Sequence, residues 1–283
     1  MIHCHRRSVV PAAILLIAST LSAHANDEIQ VYNAEIAEVG QWTLQQHLNY
    51  AISGRKEPEF VGGLVPNHAL QGTPELAYGI TDWWEIGFYS PFAVTQNGSF
   101  LWDAGKIRQL FVIPDAAKKE FFYGINFELS YATSPFSPTR WNMEIRPIVG
   151  WRKNDYELII NPIVDLGWGD DGETDFAPCA RFARKLGKDF SLGVEYYTDL
   201  GPLQNWLPFN QQQHNIYAVV DFKVGRFDVN AGIGYGLTPG SDRVMAKMII
   251  GTDLTPGKSE QSSSSSKTRQ SLDSRLRSAL LQP

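Results

Sequence analysis

The feature that most constrains this chain is a strict two-residue alternation, sustained over segments of ten residues or more. From Trp141 to Arg152 the odd positions read Trp141, Met143, Ile145, Pro147, Val149 and Trp151, and the even ones Asn142, Glu144, Arg146, Ile148, Gly150 and Arg152. Successive side chains of a strand point to opposite faces, so such a segment is a strand with one greasy and one ionic face. Phe121 to Tyr131, Tyr156 to Trp168 and Phe227 to Leu237 repeat the pattern. Weaker versions run from Trp42 to Ile52, Pro74 to Ile80, Trp83 to Tyr89, Lys106 to Ile113, Asp175 to Lys185, Phe190 to Asp199, Gln213 to Lys223 and Arg243 to Thr252. That predicts about twelve strands, an even number, several of them near the ~9 to 11 residues that cross a bilayer at a tilt. A soluble β-sandwich is the alternative, but its outward faces should be polar and not lined with Trp, Leu and Ile.

Connection lengths give an independent check. Outer-membrane barrels alternate short periplasmic turns with longer outer loops. The tight links are Thr81-Asp82, Lys153-Asn154-Asp155, Leu186 to Asp189 and Val224-Gly225, and the long ones Ser53 to Thr73, Ser90 to Gly105 and Leu200 to Gln212. Trp42, Trp83, Trp84, Trp141, Trp151 and Trp168 fall at predicted strand ends, where amphipathic rings settle at a membrane interface. Mean hydropathy is only −0.23, as expected when just every second residue meets lipid. Pro147 and Pro162 sit awkwardly mid-strand because each removes a ladder donor; they predict bulges or shifted boundaries.

The ends differ from this body. Arg6 and Arg7, the apolar run Val9 to Ala18 and the triplet Ala23-His24-Ala25 have the layout of a secretory signal peptide, giving residues 1–25 as leader and 26–254 as barrel. The run Ser262 to Ser266, then Leu272, Leu276 and Leu280 at helical spacing, make residues 255–283 a Ser-rich periplasmic tail, disordered or a short helix. The expected address is therefore the Gram-negative outer membrane with both termini periplasmic. The expected partners are outer-membrane lipid, the barrel-assembly machinery reading an internal strand that ends at Ile249-Ile250-Gly251, and a small-molecule permeant. Without Arg6 and Arg7 the chain holds 23 basic and 30 acidic residues, which excludes a nucleic-acid binder.

Glu75-Leu76-Ala77-Tyr78-Gly79-Ile80-Thr81-Asp82, Gly193-Val194-Glu195-Tyr196-Tyr197 and Gly232-Ile233-Gly234-Tyr235-Gly236-Leu237-Thr238 with Ser241-Asp242-Arg243 resemble the outer-membrane barrel family named after the meta-pathway of phenol degradation. The resemblance spans Glu28 to Gly251 and rests on strand-turn patterns. It implies a barrel in the outer membrane and suggests small-molecule uptake.

No cofactor is indicated. Cys179 is the single cysteine after the leader, and His47, His68 and His214 lack the acidic neighbours of a metal motif. No serine lies in a nucleophile-elbow context, so the enzyme reading, a lipid-modifying hydrolase using His47 or His214, has no constellation behind it. What does recur is an inner-face ionic set: Glu128, Glu144, Arg146, Glu157, Asp165, Arg181, Glu195 and Lys247, with Glu75 and Glu85 nearby. It is either the lining of a selective channel or an interlocking network that closes a narrow, purely structural barrel. The long outer loops, with Trp102 and Trp206, either fold inward around an apolar or aromatic ligand or lie on the rim.

Overall fold

A computed structural model describes residues 28–170 and 172–255. The leader and most of the serine-rich tail lie outside the described residues. Twelve antiparallel staves form the wall: β1 (Trp42–Ser53), β2 (Leu70–Gly79), β3 (Trp84–Tyr89, continued as Phe92–Val94), β4 (Phe100–Trp102, continued as Gly105–Val112), β5 (Phe121–Tyr131), β6 (Trp141–Lys153), β7 (Tyr156–Asn161, continued as Val164–Trp168), β8 (Thr174–Phe176, continued as Cys179–Lys185), β9 (Phe190–Asp199), β10 (Gln213–Val224), β11 (Phe227–Gly236) and β12 (Val244–Asp253). Each pairs with the next, and β12 closes on β1 from Thr43 opposite Asp253 to Ser53 opposite Val244. Closure leaves no unpaired sheet edge, which is what a sheet needs to stand in hydrocarbon.

The alternation becomes two surfaces. Outward side chains such as Val149, Ile160, Phe182, Leu192, Val194 and Ile233 are exposed, while their inward neighbours Ile148, Ile159, Glu195 and Asn161 are buried. An exposed apolar belt around a closed wall fits a bilayer and nothing aqueous. Trp42 and Trp141 open their strands, Trp84 opens β3 just after Trp83, Trp168 ends β7 and Trp151 lies two residues from the end of β6, so the tryptophans do mark the rims.

One end of the wall carries the short connections 154–155 and 225–226, and the other the loops 54–69, 132–140 and 200–212. The stretch Ser90 to Gly105, expected as a loop, is instead a hairpin: β3 and β4 bend at Ser90-Pro91 and Asp103-Ala104 and keep pairing as Phe92 opposite Trp102 and Val94 opposite Phe100. Pro91 has no ladder N–H to give, so the strand breaks there and resumes.

Of the two outcomes expected of the mid-strand prolines, no bulge forms, but the boundary shifts at Pro162, where β7 stops at Asn161 and resumes at Val164, while Pro147 stays within β6. Ile145 opposite Val164 and Val149 opposite Ile160 keep one register, which puts Pro147 directly across from Pro162. Cys179 opposite Asn161 and Phe176 opposite Val164 likewise put Pro178 across from Pro162 on its other side. Three prolines thus lie in one row over β6, β7 and β8. Neither Pro147 nor Pro162 has a donor for the other, so the ladder opens there without changing register.

Candidate functional site: a strap in the lumen

Residues 28–41 are not part of the wall. They turn in at the short-turn end, where Val39 bridges Gly79 and the Gly40 N–H reaches the Gly79 carbonyl at 2.8 Å, and run up through the lumen as a strap, extended but for a bend at Ala34, whose φ is 60°. A Cβ on Gly79 would stand 2.4 Å from the Ala37 and Glu38 carbonyl oxygens, so the close passage requires glycine at that position. The strap's Val31, Tyr32 and Ala34 pack with inward Leu110, Val112, Phe122, Ile148 and Ile159, giving the barrel an apolar core of its own.

Wall side chains grip the strap's backbone. Lys247 Nζ donates to the Ile29 carbonyl at 2.9 Å, Arg146 to that of Gln30 at 3.1 Å and Arg152 to that of Asn33 at 3.1 Å. Asn161 accepts from the Tyr32 N–H at 2.7 Å and donates to the Tyr32 carbonyl at 3.1 Å, and Glu85 accepts from the Ala37 N–H at 2.6 Å. The Tyr32 hydroxyl donates to Glu128 at 2.9 Å and shares a second bond with Tyr89, while the Arg146 guanidinium stacks 4.2 Å from the Tyr32 ring centre.

The eight predicted lumen residues fall into two groups. Glu128, Glu144, Arg146 and Asp165 lie together on β5 to β7. Glu128 is opposite Glu144, Glu144 opposite Asp165, and Asp165 opposite Asp175, so four carboxylates form a row across β5 to β8 at one level. Like charges directly opposite repel, and at Glu144 and Glu128 a cation and donors offset the repulsion. Arg146 makes a fork on Glu144 at 2.6 and 2.8 Å, and Asn126 joins Tyr32 on Glu128. The other four, Glu157, Arg181, Glu195 and Lys247, form a second network. Arg181 bonds Glu195 at 2.6 Å and also bonds Asp221, Lys247 bonds Glu195, and Arg181 lies 3.6 Å from Glu157.

A third cluster joins the nearby Glu75 and Glu85 through Arg108, which lies 2.7 Å from Glu75 and also bonds Glu85; His47 is 3.3 Å from Glu75. Arg108 and Asp175 were readable from their inward parity on β4 and β8. Tyr32 and Asn161 were not, because nothing in the alternation marks a segment that enters the lumen.

Cavities flank the strap. One of about 510 Å³ is lined by Gln30, Asn33, Arg152, Glu157, Arg181, Asp221 and Lys247. A second of about 370 Å³ lies between the strap and Gln45, Glu85, Arg108 and Leu110. A third of about 130 Å³, nearer the long loops, is lined by Glu28, Lys106, Glu128, Glu144, Arg146, Asp165, Asp175 and Asp199. Gln30 borders all three. Above them, the loop 54–69 folds inward. Glu59 accepts from Gln213 at 3.0 Å, the Arg55 N–H bonds Asp242 at 2.7 Å, and the Leu64 N–H reaches the Pro135 carbonyl of the 132–140 loop at 2.8 Å. Trp102 and Trp206 stay outside on the rim, more than half exposed.

His47 lies fully buried in the lumen against Glu75, and the His214 ring bonds the Tyr196 hydroxyl at 2.7 Å and the Gln212 amide at 2.9 Å. Among the described residues, neither of these two rings is engaged by a serine hydroxyl, the pairing a lipid-facing hydrolase requires.

Closed wall, apolar belt and polar lumen together define the class: a membrane-spanning antiparallel β-barrel. In sequence the chain matches no family profile and no curated protein. Among solved structures, an outer-membrane channel from Pseudomonas putida F1 is similar, with a TM-score of 0.57 at 9% identity over 80% of this chain and 100% of that one. The NanC porin (TM-score 0.49, 10% identity, 76% of this chain and 100% of that one) and a TodX monoaromatic hydrocarbon channel variant (0.42, 7%, 83% and 96%) are more distant. At these identities the likeness to the first shows a shared fold.

Proposed function

We propose that this protein is a narrow outer-membrane channel for small molecules, with both ends of its wall, Trp42 and Asp253, at the periplasmic rim and its route running beside the strap. The observation that carries the reading is the pair of cavities, of about 510 and 130 Å³, that both border Gln30 and are lined by charged side chains. A barrel closed for strength alone gains nothing from leaving such space among desolvated charges. The cavity nearer the long loops is bordered by Glu28, Glu128, Glu144, Asp165, Asp175 and Asp199 against Lys106 and Arg146, an excess that attracts cations and repels anions. The permeant is therefore a small polar molecule or cation, in preference to the aromatic one that the rim tryptophans suggest. The resemblance to the phenol meta-pathway barrels and the shared fold with an outer-membrane channel agree with this reading.

A specific observation favours a second reading. The strap fills the lumen centre, and most lumen charges are already paired, as a closed structural barrel would require. Single-channel recording on the refolded protein in a planar bilayer separates the two. A small, steady, cation-preferring conductance should lose its preference in a Glu144→Gln, Asp165→Asn double variant. A correctly folded but silent barrel would end the channel reading and leave the structural one.

A further inference from the structure

We propose that the lumen is a binding site for an extended peptide, occupied in cis by the strap. Five wall side chains, Lys247, Arg146, Asn161, Arg152 and Glu85, make six hydrogen bonds to the strap, all to its backbone N–H and carbonyl groups. Backbone groups are the same in every peptide, so a wall that grips them selects an extended main chain of one direction and spacing, much as a sheet edge accepts an added strand. The strap's amino-terminal end lies deepest and its carboxy-terminal end at the short-turn rim, so a ligand peptide would sit amino end inward. Side chains of Gln30 and Asn33 border cavities in place of fitted pockets, which leaves room for other residues there. Other positions are fitted: the Tyr32 hydroxyl meets Glu128 and Tyr89 and its ring lies under Arg146, so the site asks for an aromatic hydroxyl there, while Ile29, Val31 and Ala34 fill apolar places. The strap then resembles a tethered ligand. This rests on the channel reading only for its physiological meaning, since occupancy is measured without current.

The test begins with the full chain, so that the barrel forms around its strap. Residues 38–41 are replaced by a site-specific protease sequence, the protein is folded and cleaved, and a fluorescent peptide of residues 28–37 is added. Release of the cut strap is followed by mass spectrometry and uptake of the peptide by anisotropy. The labelled peptide should replace the strap and be displaced by unlabelled peptide. A version with Gln30, Asn33 and Glu35 changed to alanine should compete within about threefold, because none of the backbone bonds is touched. A version N-methylated at Tyr32 and Ala37 should compete at least about tenfold more weakly, since two backbone donors are removed. A barrel lacking residues 28–37 is assayed in parallel, so slow release of the cut strap cannot mask an available site. If neither preparation takes up peptide while the cleaved barrel keeps its heat-modifiable mobility, or if the N-methylated peptide competes as well as the parent, the proposal is overturned. A barrel that binds peptide but passes no current would sink the channel reading and leave this one standing; the reverse result would do the opposite.

Discussion

The wall and the strap are held by opposite means. The wall is joined strand to strand by its own backbone, with side chains that face lipid on one side and the lumen on the other. Among the described residues the strap has no strand partner beyond the single bridge at Val39, and its backbone is held by the wall's side chains. The wall should thus tolerate many lumen substitutions and few outward charges. The strap should depend on a handful of inward side chains and, of its own residues, chiefly on buried Ile29, Val31, Tyr32 and Ala34.

Lys247 is where the two systems meet, so it offers the largest expected effect. Its buried ammonium bonds the Glu195 carboxylate, the Tyr197 hydroxyl at 3.2 Å and the Ile29 carbonyl at 2.9 Å. Lys247→Met leaves Glu195 with Arg181 as its remaining cation and frees the inner end of the strap. Removing one partner of a buried pair typically costs about 3–5 kcal/mol. A urea midpoint of refolding should fall accordingly, and protease access to the strap should rise. An unchanged midpoint would mean that the wall does not rely on this network.

Next in size is an outward charge, which tests the wall alone. Val194 lies at the middle of β9 and is 46% exposed toward the belt. Val194→Lys should destabilise the barrel in lipid by about 2–4 kcal/mol, while Phe190→Lys, at the start of the same strand, should cost about 0–1 kcal/mol. Equal costs at both depths would argue against the membrane placement of this belt.

These expectations follow from features of unequal visibility. Strand β5 (Phe121–Tyr131) and β9 (Phe190–Asp199) run over the residues that alternation predicts, because a wall wet on one side and greasy on the other prints its period into the chain. The Ser90 to Gly105 hairpin was hidden, since Pro91 interrupts the period just where pairing resumes. The strap was hidden for a deeper reason. Glu28 to Gln41 is held by backbone groups that every residue possesses, so it carries no alternating signature, and its role depends on residues more than a hundred positions away, such as Asn161 and Lys247. The ionic set was legible as inward residues, but not its division into two groups, which depends on which strands become neighbours.

Asn161 gives the third effect. It satisfies both backbone groups of Tyr32, so Asn161→Leu should cost about 2 kcal/mol through two lost hydrogen bonds and loosen the strap without altering the strand register. Hydrogen exchange should show faster exchange at Tyr32 and unchanged protection in β9 to β12. Uniform loss of protection would mean that wall and strap unfold as one unit, and the contrast between them would fail.

The smallest effect concerns the residue beside Asn161, where the wall itself lacks backbone bonds. Pro162 faces Pro147 across β6 and β7, and an antiparallel pair at that position would exchange two N–H···O bonds that neither proline can donate. Pro162→Val restores one donor toward the Pro147 carbonyl, worth about 1 kcal/mol. It also loosens the unfolded chain, which costs about 0.4–1 kcal/mol. The two nearly cancel, so the urea midpoint should hardly move. Protection of the amide that the substitution introduces is the informative reading, because a new ladder bond slows exchange even where global stability stays level. A strongly protected amide shows that the gap exists for want of a donor. Rapid exchange at that amide would mean the two strands are held apart by something other than the prolines, and the strap docked on neighbouring Asn161 is then the first candidate for what holds them.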